Sequence, residues 1–363
     1  MKNSLYSERL DKLRKLLNNK NQAILLTNEL NIEYFCGFRH SEGTMLVTDY
    51  NAYLFVDFRY IEAAQAQAKA CKVICFKQLI KDLSKQLEDN DILNLYLEAS
   101  DISVAKFNKI KAEFEKIGVE CISDSCLDNA VTELRATKTK SEFEKIKQAQ
   151  QISEKAYLEI LNHIKAGVSE RQIAIEFEYL MKKNGAEDIS FDLITITGKK
   201  TSLPHGVPSD DIIQKGDFFT MDFGAVFDGY HSDTTRTVAV GYADEEMKKV
   251  YATVLKAQLK ALDFVKAGVP CKHIDDVARF YIVSAGYGKY FGHATGHGVG
   301  LQIHEAPTIS PKSGTILKEG MVITDEPGIY LPNKFGVRIE DMLYVTEDGY
   351  INFVTLPKEL QIL

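Results

Sequence analysis

From residue 165 onward the chain repeats itself, and no other feature restricts the possible folds as tightly. KAGVSERQIA (165–174) aligns with KAGVPCKHID (266–275) at an offset of 101 residues, and Gly185 meets Gly286 at the same offset. The match then resumes at an offset of 104. GDFFTMDFG (216–224) faces GMVITDEPG (320–328), pairing Gly216 with Gly320, Thr220 with Thr324, Gly224 with Gly328 and Asp222 with Glu326. Two units are too few for a solenoid. They predict a helix-plus-strand module, duplicated and folded about a pseudo-twofold axis, with equivalent side chains converging near that axis.

A second pair of carboxylates follows the first. Asp233 lies 11 residues after Asp222 and Glu340 lies 14 after Glu326, each across a turn signal, Asp228-Gly229 and Pro332-Asn333. Both segments read as hairpins. A turn at 228–229 sets Asp222 opposite position 235, whose face Asp233 shares through the period-two alternation of a strand. In the other hairpin Glu326 and Glu340 lie directly across from one another. Four carboxylates on one sheet raise each other's pKa and resist burial unless cations join them. The remaining donor is sought in GHATGHGVGLQIHEAP (292–307), which holds His293, His297 and His304. The glycines there argue against a helical histidine pair and for a strand that a metal or substrate approaches closely. Oxygen-rich ligation with one imidazole suits manganese, cobalt, iron or zinc. Two such ions lower the pKa of a shared water and polarise a carbonyl, so the expected chemistry is hydrolysis.

The rest of the chain is organised differently. Only Gly37, Gly43 and Gly118 fall in the first 140 residues, and all eight prolines lie after residue 200. Short apolar runs at 23–27, 52–56, 72–76 and 92–97 alternate with helix-like stretches around 59–70, 77–88 and 103–117, which reads as an α/β domain over 1–133. Residues 134–165 contain no Gly or Pro and carry apolar residues at helical spacing, so a long helix opens a second domain, 134–363. A formal net charge of -7 gives no positive field for polyphosphate, so nucleic acid is not expected as a partner. No apolar run approaches the ~18 residues of a membrane span. The charged N-terminus lacks a secretory h-region. The reading is a cytoplasmic protein away from membranes, with six sparse cysteines that form neither a disulfide framework nor a zinc site.

In combination, SLPHGVPSD, TMDFGAVFDGYHSDTTRT, FGHATGHGVGLQIHEAP, ITDEPGIY and GVRIEDM resemble the pita-bread metallopeptidases, among them Xaa-Pro aminopeptidase, prolidase and methionine aminopeptidase. The likeness covers 134–363. NIEYFCGF (31–38) and LFVDFRYIEAAQA (54–66) are similar to the creatinase-like N-terminal domain of the prolyl members. The fold implied is an α/β N-terminal domain followed by an α+β pita-bread catalytic domain.

Carried over by motif, the resemblance implies that Asp222, Asp233, His297, Glu326 and Glu340 hold two divalent ions, manganese first, with cobalt, zinc or iron as alternatives. Asp233 and Glu340 would bridge them, Asp222 serving one ion and Glu326 with His297 the other. His205 would hold the substrate near the leaving nitrogen, His304 would contact the scissile carbonyl, and Glu326 would move protons. His293, Tyr330 and Arg338 match substrate-pocket and supporting positions. Arg338 shares a strand face with Glu340 and is expected to orient it. Three positions depart from the common pattern: Asp325, expected to be a hydrogen-bonded structural residue facing away from Glu326; His231, whose direction depends on the regularity of its strand; and Gln302.

The leading expectation is an Xaa-Pro aminopeptidase acting on peptides with proline at the second position, working as a homodimer. Prolidase, restricted to dipeptides, and a Met-Xaa aminopeptidase are the near alternatives. A metal-free binding module or a creatinase-like hydrolase would require ligand loss, and all five ligand positions are intact.

Overall fold

The computed structural model describes residues 2–39 and 42–363 and divides into two units, Met1–Arg135 and Ala136–Leu363. In the first unit the strands Gln22–Leu26, Thr44–Thr48 and Ala52–Val56 are buried at every position. That pattern belongs to strands covered on both faces, and it explains why their sequences run apolar instead of alternating. They form the middle of a six-stranded sheet, flanked by Lys72–Cys75 on one side and by Asn94–Leu97 and Glu120–Ile122 on the other. Pairing is antiparallel in the centre and parallel toward both edges. Leu83, Leu87, Ile110 and Phe114, from the helices Leu79–Asp89 and Val104–Phe114, pack on the sheet through Leu25, Leu46, Phe55 and Leu95. Thr44–Thr48 was not anticipated from sequence.

The second unit opens with the helix Lys140–Ile160, which starts where Thr139 and Glu142 form a reciprocal capping box, an arrangement worth about 1 kcal/mol. The helix is shorter than the 134–165 expected. Residues up to Ala136 finish the preceding helix, and Thr137 bridges to Met321 instead.

Beyond this helix the fold shows the duplication directly. The helices Glu170–Lys183 and Cys271–Ser284 are both 14 residues long and stand 101 residues apart at each end. The strands Phe218–Phe223 and Val322–Asp325 begin 104 residues apart. Matched glycines share a left-handed backbone: Gly167 and Gly268 have φ of 96° and 84°, and Gly216 and Gly320 have φ of 90° and 87°. A side chain is strained there, so the repeat keeps glycine.

Each half contributes a sheet. Phe218–Phe223 lies between Ile194–Thr197 and Thr234–Ala239. Val322–Asp325 lies between Gly296–Gly298 and Asp341–Val345, with Glu305–Ile309 and Tyr350–Asn352 at the edges. Outer helices cover them: Val250, Tyr251, Val254 and Ala257 of the helix Glu245–Leu262 pack on Phe218, Ile329 and Val337. Cys271, Ile274 and Ala278 pack on Ile309, Ile323 and Leu343. The inner sheet faces are left to form a cleft. Among the described residues no helix is long and apolar enough to cross a membrane.

Candidate metal centre

The two hairpins set the carboxylates. Asp222 pairs with Thr235, as the turn at Asp228-Gly229 requires, and Ile194 flanks Asp222 on its other side. The hairpin is broken at Gly224 and at Ser232–Asp233, where a Cβ on Gly224 would lie 1.9 Å from the Ser232 carbonyl oxygen. This close approach lets the chain turn Asp233 inward, where it is 4 % exposed. In the other hairpin Gly328 pairs with Arg338 and Asp325 with Asp341, a register that leaves Glu326 opposite Glu340.

The glycine-rich segment is a strand, Gly296–Gly298. A Cβ at Gly296 would sit 2.0 Å from the Thr324 carbonyl oxygen, and one at Gly298 2.1 Å from that of Ala306. Only glycine lets the strand pack so tightly between its neighbours. Between the two, His297 donates from Nδ1 to the Gly298 carbonyl at 3.1 Å. Its Nε2 is thereby left to face Asp233 at 3.4 Å and Glu326 at 3.6 Å. Asp233, His297 and Glu340 bring one donor atom each to within 4.8 Å of one another.

Arg338 supports the cluster, but not by the contact expected. It is 4 % exposed and its Nη2 holds Asp222 Oδ2 at 2.5 Å. It reaches Glu340 only through Thr235, whose Oγ1 accepts from Arg338 Nε at 3.0 Å and donates to Glu340 Oε2 at 2.7 Å. Its Nη1 donates to the Tyr330 hydroxyl at 3.0 Å, and that hydroxyl donates to His293 Nε2 at 2.9 Å, because His293 Nδ1 is committed to the Ala294 carbonyl at 2.7 Å. Thr235 escaped the sequence reading of function, although the hairpin register had already placed position 235 opposite Asp222.

Behind the centre, Arg236 is 2 % exposed and uses every donor it has. It reaches the carbonyls of Thr235 and Glu340 at 3.0 and 2.6 Å, Asp341 Oδ1 at 2.9 Å, and the carbonyls of Leu356 and Pro357 at 3.0 Å each. Asp325 corrects an expectation. It points away from the cleft and is fully buried, yet neither of its oxygens has a hydrogen-bond partner among the described residues. Burial, with Asp341 beside it, pushes its carboxyl well above the usual range. Glu305, next to His304, is held by a buried ion pair with Lys138 at 2.6 Å, which sequence alone did not suggest. His231 donates its backbone N–H to the Gly300 carbonyl at 2.9 Å, and burial lowers its imidazole pKa.

Asp222, Asp233, His297, Glu326 and Glu340 all line one cavity of about 810 Å³, together with His205, His293, His304 and Arg338. Tyr330 stands behind it, bonded to His293. Electrostatically the cluster lacks positive charge. Burial lifts Asp233 to about 6 and Glu326 to about 7, against the pull of His297. Burial and then Asp233 push Glu340 well above the carboxylate range. Burial works against a proton on His297, but Asp233 and Glu326 prevail and hold it at about 9. Asp222 Oδ1 is buried with no hydrogen-bond partner among the described residues. An orphaned carboxylate oxygen, three carboxyls that resist ionisation and an imidazole whose Nε2, once it gives up its proton, faces them form a donor set that fits divalent cations.

The chain matches the model of metallopeptidase family M24 over residues 144–347 and that of the creatinase/prolidase N-terminal domain over residues 9–136. It is 40% identical over 357 residues to an Xaa-Pro dipeptidase of Pyrococcus furiosus, covering 97% of this chain and 99% of that protein. Among solved structures, an Xaa-Pro dipeptidase from Bacillus anthracis superposes with a TM-score of 0.94 at 41% identity, covering 99% of this chain and 100% of that one. An X-Pro aminopeptidase from Thermotoga maritima superposes with a TM-score of 0.90 at 38% identity, covering 97% and 100%.

Proposed function

The chain belongs to metallopeptidase family M24, and from that membership we propose that it is an Xaa-Pro dipeptidase, releasing the residue that precedes a C-terminal proline. The sequence reading put aminopeptidase first, and the relatives at about 40% identity weigh toward its alternative. The observation that carries the chemistry is the convergence of Asp233, His297 and Glu340 in a cavity also lined by His205 and His304.

In this reading Asp222, Asp233, His297, Glu326 and Glu340 hold two divalent ions. When bound, such ions polarise the scissile carbonyl and make a water nucleophilic near neutral pH. The protein's own groups do the rest. His304, with its imidazole pKa lowered by burial and by His297, donates to the carbonyl oxygen as charge develops there. Glu326 takes the proton from the attacking water on a carboxylate oxygen and passes it to the proline nitrogen. His205 holds the substrate beside that leaving nitrogen. The chain Arg338, Tyr330, His293 fixes one wall of the cavity, so the proline ring meets a rigid surface.

The deciding experiment strips the protein with chelator and restores manganese, cobalt or zinc separately. Release of the first residue from Xaa-Pro, Xaa-Pro-Xaa and Met-Ala peptides is then compared. Hydrolysis of the dipeptide alone supports the proposal. Equal hydrolysis of the tripeptide returns the reading to an aminopeptidase, as the Thermotoga maritima structure is described. No hydrolysis with any metal rejects both.

A further inference from the structure

One buried carboxylate that does not line the cavity closes the neck of the loop that carries His205. Glu170, the first residue of the helix Glu170–Lys183, is 0 % exposed. Its Oε1 accepts from the Thr197 N–H at 2.8 Å. Its Oε2 accepts from Lys200 Nζ at 2.6 Å, from the Ser209 N–H at 2.8 Å and from Ser209 Oγ at 3.1 Å. Thr197 and Ser209 are the two ends of the excursion 198–208, and the crest of that excursion, Pro204 to Pro208, lines the cavity. Lys200 tightens the same neck through Ser209 Oγ at 2.6 Å and Asp211 Oδ2 at 3.1 Å.

Two of the apolar side chains of the excursion stand in solvent, Leu203 being 53% and Val207 75% exposed. Toward the cleft the excursion is tied by Arg338 at the Pro204 carbonyl, 3.0 Å, and by the Gly336 N–H to Thr201 Oγ1 at 2.8 Å. A buried anion is a poor source of stability compared with an apolar side chain of the same size. Glu170 is tolerated because four donors and the helix N-terminus surround it. What its charge adds is geometry: a single side chain fixes both ends of the loop.

We propose that Glu170 is a positioning residue, acting through the Thr197–Ser209 neck to hold His205 over the metal centre without touching substrate. The proposal rests on the dipeptidase reading for its kinetic consequence, and on the loop geometry alone for its structural one.

The test uses the full chain as wild type, E170Q, K200M, H205A and the double variant E170Q/H205A. E170Q is expected to keep its calorimetric manganese affinity within about twofold, because the candidate ligands lie outside the loop. Its kcat/KM on an Xaa-Pro dipeptide should fall about 100-fold, the cost of misplacing a contact by about 1 Å. In the H205A background the same substitution should cost less than about twofold, because its effect runs through His205. Equal losses in both backgrounds, or lost metal affinity in E170Q, overturn the proposal.

Independently of activity, trypsin should nick E170Q after Lys199 about tenfold faster than wild type, and an unchanged nicking rate also overturns it. K200M leaves the carboxylate three of its donors and should show both effects in weaker form, so the question stays decidable if E170Q does not fold. If wild type hydrolyses no Xaa-Pro peptide, the functional reading fails and the nicking comparison alone decides whether Glu170 holds the loop.

Discussion

At the scale of single residues the centre is a charge problem. Asp233 and Glu340 are 4 % and 1% exposed, each is raised by burial and by the other carboxylates, and each brings a donor atom to within 4.8 Å of one on His297. Removing either leaves the other acids with fewer like charges and no place for two ions. D233A and E340A are each expected to purify with at least one divalent ion fewer per chain, by elemental analysis, and to lose turnover. Full activity in either variant would refute the ligand assignment. Arg338 contributes differently from what the sequence suggests. Spacing placed it on the face of Glu340, correctly, but a long guanidinium reaches past its strand neighbour to Asp222 and leaves Glu340 to Thr235. Strand alternation gives the face of a side chain and not the partner that its length allows it to choose.

At the scale of elements, the repeat made much of the fold legible. Two hairpins with identifiable turns fix a register, and the register fixes which residues oppose each other: Asp222 with Thr235, and Glu326 with Glu340. The glycines of 292–300 were correctly read against a helix, for a reason now visible in the carbonyls of Thr324 and Ala306. What stayed hidden were supports from distant elements, such as Lys138 beneath Glu305 and Asp275 beneath the histidine strand. No local pattern marks a partner 20 or more residues away. Asp275, on the helix Cys271–Ser284, is fully buried and accepts from the Thr295 N–H and Oγ1 at 3.1 and 2.8 Å while Arg279 grips it at 2.8 Å twice. It thereby fixes the strand on which His297 sits. D275N is expected to weaken manganese binding about 10- to 100-fold by calorimetry, the range for losing a support behind a metal ligand, if the strand carries the proposed ligand His297. Unchanged affinity would show that the strand holds its place without it.

For the whole molecule, the apo centre ties stability to pH. A group that holds its proton more tightly when folded stabilises the fold below its unfolded pKa and loses that contribution as pH rises through the folded one. Asp233, raised from 3.8 to about 6, Glu326, from 4.5 to about 7, and His297, from 6.5 to about 9, all follow this rule. His293 runs the other way: burial lowers it from 6.5 to about 4, so its contribution is lost only as the medium turns acid. Between pH 7 and 9 the metal-free protein is therefore expected to lose several degrees of Tm, at roughly 2–4 °C per kcal/mol for a domain of this size. The manganese-loaded protein should hold its Tm over the same window, because the ions replace the protons. A metal-free Tm that is flat or rising there would contradict the electrostatic account.

The Arg236 guanidinium adds a constraint in time. Two of its five partners, the carbonyls of Leu356 and Pro357, belong to a segment made more than a hundred residues after it, and the others include the backbone of Glu340. During synthesis the Arg236 guanidinium therefore cannot complete its contacts until residues 356–357 leave the ribosome. Arrested nascent chains ending near residue 350 should leave the catalytic unit open to protease, whereas chains extended through 363 with a linker to clear the exit tunnel should be protected.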